Sequence, residues 1–256
     1  MTARPLEGRV AVVTGGGSGI GRASALAFAH AGADLALVDR DADAAGEVAR
    51  EVEALGRRAV ARASDVGDPA AVEADAAAIL AQFGRIDVLL TAAGWSCGGS
   101  VTTTSPEDWA KVFRTNVDGT WLWARAVIPA MQSQRGGAII TVASQLALAG
   151  GRGNSAYIAS KGAILALTRT MALDYVADGI RVNALAPGAV DTPLLARAFG
   201  RAKDPAAMRA ASAQRHAMQR IGRPEEIAAA ALFLAGDGAS FITGTTLPVD
   251  GGWLAA

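Results

Sequence analysis

The sequence predicts an α/β fold: one doubly wound parallel sheet of about seven strands, with helices on both faces. Three observations carry this expectation. Short apolar runs rich in β-branched residues alternate with longer segments of helical pattern along nearly the whole chain. The first run enters its helix through a cluster of glycines. No low-complexity linker or longer repeat interrupts the alternation, so residues 1–256 read as one domain.

The elements follow in order. Val10-Ala11-Val12-Val13 reads as a strand buried on both faces. Gly15 to Gly21 then lead into a helical pattern through Ala29, a layout that turns backbone N–H groups and a helix N-terminus toward an anion. The pattern is Thr-Gly-x-x-x-Gly-x-Gly rather than the strict G-x-G-x-x-G, and glycine content alone leaves a plain flexible turn open. Residues 34–38 form the second strand. Asp39 lies at its end, 18 residues beyond Gly21, where a carboxylate can accept bonds from adenosine ribose hydroxyls. A carboxylate there repels a 2′-phosphate and favours NAD over NADP, whereas the neighbouring Arg40 is a cation of the kind that binds such a phosphate. Helix (47–55), strand (58–61), helix (69–83) and strand (86–90) come next, with Gly56 and Gly84 as helix stops. Ser105-Pro106-Glu107-Asp108 is a helix start, with a break expected near Asp118-Gly119. Strands at 138–142 and 180–185 flank a helix starting near Asn154 or Ser155. The Ala/Arg-rich stretch of about 189–220 reads as a substrate lid of one or two short helices. A helix from Pro224 and a strand at 246–249 close the chain.

Composition narrows the function classes. Hydrophobic residues make up 51% of the chain and glycines number 30, which fits a compact protein and excludes disorder. Lys+Arg and Asp+Glu are both 24, and no basic run stands out. Nucleic acid and anionic membranes are therefore not expected partners. No apolar run approaches the ~18 residues of a membrane span, and MTARPLEGRV lacks the apolar core of a signal peptide. With a single cysteine, Cys97, a cytoplasmic location is expected. Only His30 and His216 are present, and no metal-ligand cluster is visible, so no metal is expected.

The chemistry centres on Tyr157 and Lys161. Four residues apart on a helix, they share one face with Cβ atoms about 5–6 Å apart. An ammonium about 5 Å from a phenol, at an effective dielectric of about 20, favours the phenolate by roughly 3 kcal/mol, or about 2 pKa units. Asn154 and Ser155 are both good caps, so the positive end of the helix adds to the push. Tyr157 is therefore expected below the ordinary phenol value, able to exchange a proton with an alcohol or carbonyl oxygen. Ser144 sits at the end of the fifth strand, on the edge where ligands bind in open α/β sheets.

Taken together, Thr14-Gly15-(x)3-Gly19-Ile20-Gly21, Asp65-Val66, Ala92-Ala93-Gly94, Asn116-Val117, Ser144, Tyr157-(x)3-Lys161 and Pro187-Gly188 resemble the classical short-chain dehydrogenase/reductase family. The likeness runs from about Gly8 to Trp253 and implies a Rossmann-type fold. It also implies a tetrad. Tyr157 would be the general acid/base, Ser144 would hold the substrate oxygen, and Lys161 would lower the Tyr157 pKa and bind the nicotinamide ribose. Asn116 would fix a water in a proton relay. For the cofactor it implies Gly15, Ser18, Ile20 and Gly21 at ribose and pyrophosphate and Asp39 at the adenosine ribose. Asp65 and Val66 would meet the adenine, and Val190 and Thr192 the carboxamide and pyrophosphate. Ala93, Gly94, Tyr157, Lys161, Pro187 and Gly188 complete that set. A homotetramer formed through the helices carrying Trp121, Trp123 and Tyr157 is implied as well.

One departure from that pattern is clear. Thr91 stands where the family usually has Asn, and its hydroxyl can replace only one of the amide's backbone bonds. The four-residue Tyr–Lys spacing differs from the wider spacing of divergent enoyl reductases. The expected activity is hydride exchange between NAD(H) and a secondary alcohol or carbonyl. An NADPH-dependent ketoreductase of 3-oxoacyl thioesters is the alternative, and a non-catalytic nucleotide sensor is the remote one. Trp95 to Gly99, Gln145 to Asn154 and the chain after Gly188 should wall the substrate pocket. Arg152, Arg197 and Arg201 there point to a polyol, sugar or sugar acid, with an arginine meeting a carboxylate.

Overall fold

The computed structural model describes residues 4–256. Seven strands are present: β1 (Val10–Thr14), β2 (Asp34–Asp39), β3 (Ala59–Ala63), β4 (Val88–Thr91), β5 (Gly137–Val142), β6 (Ile180–Pro187) and β7 (Thr246–Val249). They form one sheet in the order β3-β2-β1-β4-β5-β6-β7, and every neighbouring pair is parallel. The direction of winding reverses between β1 and β4, where Val13 pairs with Leu37 on one side and Leu90 on the other. Such a reversal opens a crevice at the C-terminal edge of the sheet.

Alternate residues of each strand supply the two cores, as the period of two requires. Ala11, Val13, Leu35 and Leu37 pack against α1 (Gly19–His30), α2 (Ala42–Ala54) and α10 (Pro224–Ala235). Val10, Val12, Ala36 and Val38 pack on the other face against α3 (Pro69–Phe83), α5 (Gly119–Gln134) and α7 (Ser155–Tyr175). Short helices α4 (Pro106–Phe113), α6 (Leu146–Ala149), α8 (Pro193–Gly200) and α9 (Pro205–Gln214) lie around the C-terminal edge. The lid stretch thus holds two helices, each opened by a capping residue and a proline: Thr192-Pro193 and Asp204-Pro205.

The structure moves several boundaries. Helix α2 starts at Ala42 rather than at residue 47, because the Asp41 carboxylate caps it by accepting from Ala44 N–H at 3.1 Å. The expected break near Asp118 is a π-helical turn, Arg114–Asp118, that joins α4 to α5 without ending the helix. Helix α7 begins at Ser155, but Asn154 does not cap it with its side chain. Its carboxamide oxygen accepts from Ser96 Oγ at 2.9 Å, so it ties the loop after β4 to the loop before α7.

Candidate active site

The C-terminal edge of the sheet carries a cavity of about 840 Å³. Its floor is the turn between β1 and α1. Gly15 has φ +65°, and a Cβ there would lie 2.8 Å from the Ala93 backbone, so the two loops at the switch point touch. A Cβ on Gly21 would collide with the Gly15 carbonyl. Ser18 leaves the α1 N-terminus without a side-chain cap, so its first-turn N–H groups face the cavity. That is the arrangement a phosphate takes. Asp39 stands beside it at the end of β2. Its Oδ2 accepts from Gly17 N–H at 3.0 Å and its Oδ1 from Asp41 N–H at 3.1 Å, which fixes the carboxylate at the cavity wall.

Of the residues expected at a cofactor, Gly15, Ser18, Ile20, Gly21 and Asp39 line this cavity. So do Asp65, Val66, Ala93, Gly94 and Thr192. Tyr157 and Lys161, on α7, do not line it, and neither do Pro187, Gly188 and Val190. The last three lie at and just after the end of β6, where the Pro187 carbonyl accepts from Gln145 N–H at 3.1 Å and Gly188 N–H donates to Val249 at 3.0 Å. The residues present fit a dinucleotide: a bare helix N-terminus, a glycine cradle and a carboxylate at the next strand end.

Beyond the cavity floor, β5 and α7 bring Ser144, Tyr157 and Lys161 together. Lys161 is buried, and its Nζ donates to the Val142 carbonyl at 2.6 Å and lies 5.6 Å from the centre of the Tyr157 ring. Burial lowers the Lys161 pKa to about 8. The Tyr157 phenol is raised above its ordinary value, because burial outweighs the Ser144 hydroxyl that pulls it down. The lowered phenol expected from the Tyr–Lys pair is therefore reversed in the protein alone. Desolvation acts on both members, and the spacing argument left it out.

Asn116 is fully buried in the π turn. Its Oδ1 accepts from Trp95 N–H at 2.8 Å, and its Nδ2 donates to the Trp95 carbonyl at 3.0 Å and to Ser160 Oγ at 2.9 Å. The carboxamide therefore binds the loop after β4 to α7. Thr91, in the place of the family's Asn, meets the Thr120 hydroxyl at 3.4 Å rather than a backbone group. Thr14 serves that turn instead, its Oγ1 accepting from Ala93 N–H at 3.3 Å.

The expected substrate residues separate. Trp95 lines the cavity, with Lys111 Nζ 4.4 Å above its ring. Gln145 is buried away from the cavity, and its Oε1 has no partner. Arg152 is exposed on the loop before α7, outside the cavity, because Gly150 to Gly153 turn outward. Arg201 donates to the Ser96 carbonyl at 3.1 Å, so the lid pins the loop after β4. Only Arg197, of the three arginines, lines the cavity. The sequence reading missed Lys111 and Arg114 as cavity residues. Arg114 pairs with Asp65 at 2.8 Å across the far end, and nothing in the spacing of α4 foretells that approach. Cys97 is half-buried and its thiol is raised, chiefly by burial. Among the described residues no group of three or more His, Cys, Asp or Glu is placed to hold a metal. Nor is any helix among them long and apolar enough to cross a membrane.

A parallel sheet with its crevice at the β1/β4 switch, a glycine turn and a half-buried tyrosine beside a buried lysine define a nucleotide-dependent oxidoreductase of one class. The chain belongs to the short-chain dehydrogenase/reductase family. A family model described as Enoyl-(Acyl carrier protein) reductase matches residues 15–254. The chain is 41% identical to a cis-4-hydroxycyclohexanecarboxylate dehydrogenase of Sinomonas cyclohexanicum, over 96% of this chain and 97% of the relative. It is 39% identical to a meso-2,3-butanediol dehydrogenase of Serratia marcescens, over 96% and 94%. The crystal structure of a levodione reductase superposes with a TM-score of 0.95 at 34% identity, covering 98% of this chain and 99% of that one.

Proposed function

We propose that the protein interconverts a secondary alcohol and its ketone with NAD(H). The observation that carries this reading is the juxtaposition of Ser144, Tyr157 and Lys161 beside the glycine-turn cavity. NAD would lie along that cavity, its pyrophosphate at the α1 N-terminus and its adenosine ribose at Asp39. When bound it supplies the hydride acceptor or donor. The chain's own residues do the rest. Ser144 holds the substrate oxygen, an interaction that strengthens as charge develops there. Tyr157 gives its phenol proton to that oxygen in reduction and takes one back in oxidation. Its raised pKa keeps the proton on the phenol at neutral pH, ready for the reductive direction. Lys161, with one N–H on Val142, has remaining donors that would hold the nicotinamide ribose and would carry the proton onward. Asn116 would hold a water beside Lys161 only through a second lone pair of its backbone oxygen, because its carboxamide is committed to Trp95 and Ser160 and that oxygen already accepts from Thr120 Oγ1 at 2.8 Å.

The four-residue Tyr–Lys spacing supports alcohol and carbonyl chemistry over reduction of an enoyl double bond. For the substrate we infer a polar secondary alcohol, a polyol or a hydroxy acid. Arg197, the cavity-lining arginine of the lid, replaces Arg152 as the group to meet a carboxylate. The carboxylate-bearing and vicinal diol substrates in the names of the two relatives support that class. Arg40 at the cavity wall favours the second reading, an NADPH-dependent ketoreductase. Initial rates on a panel of alcohols, polyols and hydroxy acids with NAD+ and with NADP+ decide between them. At least a tenfold preference for NAD+ is expected, lost in Asp39→Ala. A preference for NADP+ in the parent protein contradicts the NAD assignment.

A further inference from the structure

His216 follows the end of α9 and is 4% exposed, and nothing in the catalytic reading uses it. Its Nδ1 lies 2.8 Å from the Ser212 carbonyl, a group that only accepts, so Nδ1 carries the proton. Its Nε2 takes the Ala189 N–H at 3.1 Å, a group that only donates, so Nε2 carries the lone pair. The two bonds fix the neutral Nδ1–H tautomer. The other side of the Ala189 peptide is held too, its carbonyl accepting from Gly222 N–H at 2.9 Å. Asp191 N–H returns a bond to the Gly222 carbonyl at 2.9 Å, and the Asp191 carboxylate takes both Nη atoms of Arg209 on α9 at 3.0 and 2.9 Å. The stem of the lid thus grips residues 189–191, immediately before Thr192 at the cavity wall.

Packing around the imidazole is close. A Cβ on Gly188 would lie 2.8 Å from His216 Nε2 and 2.9 Å from Gln145 Oε1. The chain that follows β6 can pass between the lid and the residue after Ser144 only because position 188 has no side chain. The position of residues 188–192 therefore depends on where the imidazole sits.

We propose that His216 is a positioning residue: its Nε2 clasps the Ala189 amide and so sets the place of Thr192, the residue of this segment that lines the cavity, for the dinucleotide. This rests on the cofactor reading given above. It makes order in the lid and affinity for the cofactor two expressions of one hydrogen bond.

Two variants separate the two bonds of the ring. A glutamine places a terminal oxygen near the Nε2 position and keeps an acceptor for Ala189. An asparagine places its amide near Nδ1 and keeps only the donor to Ser212. In the apo-protein, His216→Asn is expected to weaken NADH binding, measured by fluorescence titration, by about tenfold and to speed exchange of the Ala189 amide similarly. His216→Gln is expected to stay within about threefold of the parent in both. Equal NADH affinity in the Asn variant and the parent, or equal loss in both variants, overturns the proposal. So does an Nε2–H tautomer in the ring 15N spectrum of the unaltered protein, a measurement that needs no variant. If the parent binds neither NADH nor NADPH, the cofactor reading itself fails, and the Ala189 exchange contrast still decides the clasp.

Discussion

At the scale of single residues, Lys161 Nζ donates to the Val142 carbonyl at 2.6 Å and lies 5.6 Å from the centre of the Tyr157 ring. Tyr157 and Lys161 can be placed on one helix face from spacing alone. Burial is a property of the folded chain, and it raises the phenol while lowering the ammonium to about 8. The lysine has a consequence for stability. The unfolded chain holds this proton up to about 10.5, whereas the folded protein releases it near 8. Between those values the unfolded state binds more protons, so folding stability contributed by this group rises with pH, by about 3 kcal/mol in all. Chemical unfolding at pH 7.5 and 10 should show that rise in the parent protein. It should be absent from Lys161→Met, and an identical pH dependence in the two proteins contradicts the buried, low-pKa lysine.

At the scale of elements, the strands and the Ser105 cap were readable because their signals are local, whereas the Asp41 cap of α2 was missed and Asn154 does not cap α7 with its side chain. Ser105-Pro106 opens α4 as expected, with Ser105 Oγ accepting from Asp108 N–H at 3.0 Å. The π turn was not readable, because one extra residue in a helical turn leaves no compositional mark; the break was expected near Asp118 but is a bulge from Arg114. The bulge matters because it aims Asn116 at both partners of its carboxamide. Asn116→Ala removes three hydrogen bonds and takes the side-chain partner from both the N–H and the carbonyl of the half-buried Trp95, a loss of about 2–4 kcal/mol. Denaturant unfolding measures that loss. Because Trp95 lines the cavity, its fluorescence response to NADH should change with it. An alanine variant as stable as the parent contradicts the tie between the loop and α7.

At the scale of the molecule, the alternation of strand and helix predicts the parallel sheet, while the strand order that places the switch between β1 and β4 emerges only in the fold. What joins distant segments across the crevice lay beyond that alternation: Arg114 with Asp65, Arg201 with the Ser96 carbonyl, His216 with Ala189. Each contact spans dozens of residues and depends on how packed helices present their side chains. The exterior carries a further expectation. Trp109 and Trp121 remain 43% and 48% exposed on α4 and α5, and Leu173 on α7 is 79% exposed. Apolar side chains of this size on neighbouring helices favour self-association, and we propose the homotetramer that the family likeness implies. Light scattering on the eluting protein should give four times the chain mass of 25.9 kDa. A monomer mass, unchanged by Trp121→Glu, contradicts it.

The central claim is that Tyr157 moves the proton in a site whose cofactor is held by other residues. Tyr157→Phe removes one oxygen and leaves the ring in place. Turnover of the best alcohol in the panel should fall by at least a thousandfold, in line with removal of a general acid (roughly 10²–10⁴-fold) together with the bond it makes to the substrate oxygen. NADH should still bind within about threefold of the parent, because the cavity floor and Asp39 are untouched. Turnover preserved in the phenylalanine variant would contradict the account.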